Sequence, residues 1–178
     1  MYPIILIDVI GEPGAFFLFT IVKMSKNFSA VLLFHYLVLL TKLILFKVRV
    51  GSIVYNVYYT QLTFKQSFSR SNLIPFNTIY KLLHEQIDVF VVQNILGNIL
   101  GFAPLGILLP ILFPSLASFK KIALAAFTLS LAYEITQLVM VLGIFDVDDI
   151  ILNTLGGVVG FFIFRQFSAK KEVISSLQ

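Results

Sequence analysis

The run VFVVQNILGNILGFAPLGILLPILF, residues 89–113, contains no charged side chain. A helix needs roughly 20 predominantly apolar residues to cross the hydrocarbon core of a bilayer, and an uncharged stretch of this length has no face suited to water. Three further runs of similar character lie at about 28–46, 120–142 and 150–167. Charged residues make up 12% of the 178 residues, against about 25% in a typical soluble domain, and the mean hydropathy is +0.96. The expected fold is therefore all-α: a polytopic α-helical membrane protein with about four transmembrane helices. The apolar runs are continuous and do not alternate over segments of about ten residues, which excludes a β-barrel. The chain has no cysteine, which excludes disulfides, thiolate zinc sites and cysteine nucleophiles.

The first residues fit that pattern poorly. Within 1–23, Asp8, Glu12 and the Pro13–Gly14 break interrupt an otherwise apolar stretch, and charge with a Pro-Gly pair makes a poor spanning helix. Residues 1–23 are read as a weakly apolar, dispensable segment and 24–178 as the membrane domain, with translation from Met24 as an open alternative. The run after Met24 is longer than a signal-peptide core and no A-x-A cleavage pattern follows it, so it is expected to be a retained helix. Basic residues set the orientation. Lys23 and Lys26 precede the first span, Lys120 and Lys121 follow the second, and Arg165, Lys170 and Lys171 close the fourth. The interval 143–149 has no basic residue, so both termini are expected in the cytoplasm. The connection 47–88 then lies outside with five basic residues, but long loops weigh little in that rule. It shares the outer face with the acidic turn that opens the fourth span.

That turn, DVDDIILNTLGG at 146–157, holds the densest negative charge in the chain. Asp148 or Asp149 is expected to N-cap the fourth helix, which leaves Asp146, and Asn153 a turn further on, without an assigned role. An alternative is that Asp146, Asp149 and Asn153 offer oxygen ligands to a hard cation; the glycine and the bidentate glutamate of an EF-hand loop are missing. In the second span Asn94 and Asn98 are four apart and share a face. Gly97 with Gly101, and Gly156 with Gly160, have the small-xxx-small spacing that lets helices approach closely in lipid while amides hydrogen-bond across the contact. Pro104 and Pro110 are expected to kink or end the second helix. Glu134 lies inside the third span with Gln137 three residues on. An ionisable residue at that depth is either functional or a buried lock onto the amides of the second helix. Lys42 is expected to snorkel, and His35 and His84 to be packing or surface residues. In 71–83, Asn72 and Pro75 mark a turn, followed by a short amphipathic helix expected on the bilayer surface. There is no Gly-rich phosphate loop, G-x-S-x-G or H-E-x-x-H motif; nothing calls for a cofactor or for nucleic acid as a partner.

Taken together, NLIPFNTI (72–79), NILGNILGFAPLGILLP (94–110), EITQ (134–137) and FDVDDIILNTLGGVVG (145–160) resemble the VanZ family in order and spacing. The resemblance implies a small polytopic protein of the bacterial cytoplasmic membrane, associated with teicoplanin resistance by a mechanism not established. It transfers a polar set onto this chain: Asn94, Asn98, Glu134, Gln137, Asp146, Asp148, Asp149 and Asn153 as a binding cluster, and Asn72, Pro75 and Phe76 as a loop motif. Pro104, Gly106 and Gly156 come with them. Many members carry an arginine between the glutamine and the first aspartate; here LVMVLGIF has no charge, so that interval offers the acidic turn no basic partner. The resulting expectation is an extracytoplasmic polar cluster, open to the outer face. It lowers susceptibility to teicoplanin-type glycopeptides, with membrane lipids and a glycopeptide or cell-wall precursor as partners. The alternatives are a membrane enzyme acting on a lipid-linked cell-envelope substrate, and a structural or assembly protein.

Overall fold

The computed structural model describes residues 25–45, 63–84 and 89–176; the expectations for 1–23 and for the first part of the 47–88 connection lie outside them. The helices are α1 (Lys26–Leu45), α2 (Phe64–Ser69), α3 (Asn77–His84), α4 (Val89–Leu112), α5 (Phe119–Val139) and α6 (Val147–Ser176), with one 3-10 turn at Pro114–Leu116. Four of them are long and apolar enough to cross a membrane: α1, residues Val92–Leu112 of α4, α5, and residues Val147–Ser168 of α6. The protein is a polytopic helical membrane protein.

The closest packing is between α4 and α6, where backbone meets backbone. A Cβ added at Gly160 would run into the carbonyl oxygen of Ala103, one at Gly156 into that of Ile99, and one at Gly106 into that of Gly157. Between helices in lipid, such approach replaces the hydrophobic effect with dispersion contact. Gly156 and Gly160 thus act as their spacing predicts. Gly97 and Gly101 do not: a Cβ at Gly97 would meet nothing within 4 Å, and one at Gly101 only Leu40 Cδ1 at 3.8 Å. The α4 face that meets α6 carries Ile99, Ala103 and Gly106, at i, i+4 and i+7, so the one suitable glycine lies outside the small-xxx-small pair. Gly157, next to this face, turns toward α5, where an added Cβ would stand 2.7 Å from Ala126 Cβ.

α4 continues through Pro104 and Pro110 to Leu112, so neither proline ends it. Pro104 leaves the carbonyl of Leu100 without its helical donor. In the same turn the Tyr36 hydroxyl donates to the Gly101 carbonyl at 2.7 Å. α1 adds Leu40 and Ile44 to a core shared with Phe102, Leu105, Ala126 and Tyr133, and Thr41 and Tyr133 hydrogen-bond at 2.8 Å. Lys42 is exposed in the last turn of α1.

Two boundaries differ from the sequence reading. α5 stops at Val139 because the chain closes in a Schellman motif: Val141 N–H donates to Leu138 O (3.3 Å) and Leu142 N–H to Gln137 O (2.9 Å), with Val141 at φ 55°. That position usually takes glycine. α6 begins at Val147 rather than 150, so Asp148 and Asp149 fall in its first turn. The N-cap is Asp146, whose Oδ1 accepts from Asp148 N–H at 2.9 Å. The expectation that Asp148 or Asp149 caps the helix is corrected: the outermost aspartate caps, and the carboxylates of the other two turn to residues 72–76 and to α4.

Candidate functional site

At the end of the bundle where α5 stops and α6 starts, the segment 63–84 forms a strap fastened to the acidic turn. Thr63 opens α2 with a reciprocal capping box to Gln66, which turns Ser67 inward. Ser67 is buried, its hydroxyl donating to the Gly143 carbonyl, and Ser71 Oγ accepts from Phe145 N–H at 3.3 Å. The central fastener is Asn72. Its backbone bridges to the turn on both sides, N–H to Phe145 O at 2.9 Å and O from Val147 N–H at 3.0 Å. Its side-chain amide donates to Asp146 Oδ1 at 2.8 Å and, at 3.4 Å, to Asp148 Oδ2. Its Oδ1 accepts from Ile74 N–H and from Asn77 Nδ2, both at 3.3 Å.

Pro75 and Phe76 give the strap its bend. Asn77 N–H closes on Ile74 O at 3.4 Å, with proline second and a positive φ third, the pattern of a type II turn. Phe76 holds φ 66°, a conformation normally left to Gly or Asn. It is kept there by Asp148, whose Oδ1 accepts the Phe76 N–H. The loop motif and the acidic turn, more than 70 residues apart in the chain, thus form one assembly.

Beneath the strap polar side chains join the helices to one another and to the turn. Asp149 Oδ1 accepts from Asn98 Nδ2 at 2.6 Å and from Asn94 Nδ2 at 3.0 Å, joining α6 to α4. Glu134 Oε2 accepts from Asp146 N–H at 2.8 Å, so α5 holds the turn by its backbone. The sequence reading offered the amides of α4 as partners for Glu134; those amides go to Asp149. Gln137 reaches α1, donating at 2.6 Å to Ile44 O. Asn153 lies deeper, donating to Ser130 Oγ at 2.8 Å between α6 and α5.

The expectation of a cluster open to the outer face is corrected by burial. Asp148, Asp149, Gln137 and Asn153 are each 2% exposed and Glu134 1%, with the strap hydrogen-bonded onto the turn. Asp146 is the carboxylate that keeps partial exposure. Burial pushes its carboxyl above the ordinary value; the Asn72 amide pulls it down, the charges of Asp149 and Asp148 push it up, and the Asp148 N–H pulls it down again.

The alternative cation set is not assembled as one. Asp149 accepts from two amides, Asp146 accepts from Asn72 and from its own helix, and Asn153 gives its amide to Ser130. Among the described residues there is no group of three or more His, Cys, Asp or Glu placed to hold a metal ion. His35 and His84 each face a carbonyl one turn back. Ser67, Ser71 and Ser130 were missed by sequence reasoning. For Ser130 a signal existed: Ser130, Glu134 and Gln137 stand at i, i+4 and i+7 on one face of an apolar helix.

A family model described as VanZ/LLP1 matches residues 31–168. The protein VanZ of Enterococcus faecium is 34% identical over 142 residues, covering 79% of this chain and 76% of the relative. No solved structure matches.

Proposed function

The chain belongs to the VanZ family of membrane proteins, and from that premise we propose that it lowers susceptibility to teicoplanin-type glycopeptides through the strap and acidic turn. In this reading the assembly faces the extracytoplasmic side of a bacterial membrane and both termini are cytoplasmic. The observation that carries the proposal is the docking of Asn72 and Phe76 onto Asp146 and Asp148, since these are residues on which the resemblance rests. The burial of Asp148, Asp149 and Glu134 makes recognition a better fit than bond chemistry. Asp148, Asp149 and Glu134 accept from amides and backbone N–H groups that hold them in place. Asp146 remains partly exposed at the rim, an acceptor for a cationic or hydroxyl-bearing partner such as a glycopeptide or a cell-wall precursor.

The test is susceptibility to teicoplanin and to vancomycin in a sensitive Gram-positive host. Wild type, Glu134→Gln and Asp149→Asn are expressed to equal membrane levels. A teicoplanin-selective rise with wild type that both variants lose is the expected result. No rise with correctly inserted wild type removes resistance as the role and turns the search to lipid-linked substrates.

A further inference from the structure

The strap turns two kinds of side chain outward. Phe68, Ile74, Phe76 and Tyr80 are 55, 68, 56 and 59% exposed, and Lys65 and Arg70 are exposed among them. From Thr63 to His84 the sequence contains no aspartate or glutamate, so every acid at this end of the described bundle belongs to the turn behind the strap and the α5 residue under it. The apolar exposure continues across the end of α5 at Val139 and Met140, each 63% exposed, and so runs into the faces that the spanning helices give to lipid. Phe76 adds a cost that burial of its own side chain does not offset. Its backbone is held left-handed by a buried aspartate while its ring points away from the bundle.

We propose that the strap is seated in the headgroup layer of the bilayer and binds anionic phospholipid headgroups through Lys65 and Arg70, with the exposed aromatic and aliphatic residues inserted among the upper acyl carbons. An apolar face rimmed by basic groups suits the boundary between headgroups and chains, and continuity with the lipid-facing sides of α5 favours the bilayer over a protein as the occupant. Docked this way, the strap brings the acidic turn to the level of the membrane surface. The inference rests on membrane insertion alone, so it can fail while the resistance role stands, and the reverse.

The protein has no tryptophan, so a single Ile74→Trp reports on the strap without background. The full chain is placed in bilayers mixing phosphatidylcholine with phosphatidylglycerol, and brominated acyl chains are carried by one lipid or the other. The expected result is blue-shifted emission, quenched more strongly by brominated phosphatidylglycerol than by brominated phosphatidylcholine. Adding Lys65→Gln and Arg70→Gln should erase that preference, each basic group near an anionic surface contributing up to about fivefold. Phe68→Trp, on the separate helix α2, repeats the measurement should Ile74→Trp disturb the turn. Red emission quenched by aqueous acrylamide and indifferent to bromolipid overturns the proposal, and leaves a protein partner for this surface. Equal quenching by the two bromolipids, unchanged by the two glutamines, overturns the choice of anionic lipid.

Discussion

The seam between α4 and α6 and the latch between strap and turn hold the same helix by opposite means. Along the seam α6 offers Gly156 and Gly160, and contact comes from the absence of side chains. At its first turn α6 offers Asp148 and Asp149, and contact comes from carboxylates filled by donors of the strap and of α4. The seam leaves no room for sliding, because carbonyl oxygens stand where any Cβ would be. The latch is made of separable hydrogen bonds, each worth about 1.5–3 kcal/mol when one partner is charged. The difference teaches where change is tolerated: the seam sets the fold, and the latch can open locally without dissolving it.

The largest effect that would break this comparison is at the seam. Gly160→Leu should destabilise the bundle by about 3 kcal/mol, the upper range for overpacking a closed contact, read as an earlier midpoint in an SDS titration from mild detergent. A variant as stable as wild type would show that α4 and α6 are not in backbone contact. Next comes Asp149→Ala, expected to cost about 2 kcal/mol because the Asn94 and Asn98 amides lose their acceptor. Asp149→Leu combined with Asn94→Leu and Asn98→Leu removes both sides of the contact and should recover most of that loss. If the triple variant is worse than Asp149→Ala, the amides have other acceptors.

Smaller and more local is Asn72→Ala. It should raise amide exchange across residues 63–84 by about tenfold, equivalent to about 1.4 kcal/mol, while α4 and α6 stay protected; uniform exchange over both regions would erase the distinction between them. Val141→Gly should stabilise by about 1 kcal/mol, since glycine accepts the left-handed conformation that a β-branched residue resists. The smallest effect is in pH. The Asp146 carboxyl is raised in the folded protein, so folding favours its protonated form and latch stability should decline as pH rises through that raised value. Asp146→Asn should flatten this part of the dependence, measured by strap exchange corrected for intrinsic rate.

The spans were legible because hydrocarbon dictates length and apolarity with little freedom, as in the uncharged run 89–113. The resemblance supplied the loop and turn residues, and the structure shows them meeting. Partner assignment was not legible. Asp146 rather than Asp148 caps α6 because the Phe76 N–H draws the latter to the strap, a contact over 70 residues away in sequence. Gly106 rather than Gly97 meets α6 because the choice between two faces of an evenly apolar helix depends on the neighbour, and periodicity has nothing to select with. The strap closing the cluster was hidden for a similar reason: Ser67 and Ser71 look like ordinary surface serines until Gly143 and Phe145 stand opposite them.

The most direct test of the latch as the working part is teicoplanin susceptibility of cells carrying Asn72→Ala beside wild type, at equal membrane levels and with α4–α6 exchange protection verified. The account predicts that the folded, inserted variant loses the teicoplanin-selective protection conferred by wild type. Full protection with an opened strap would contradict it, and would place the function elsewhere in the bundle.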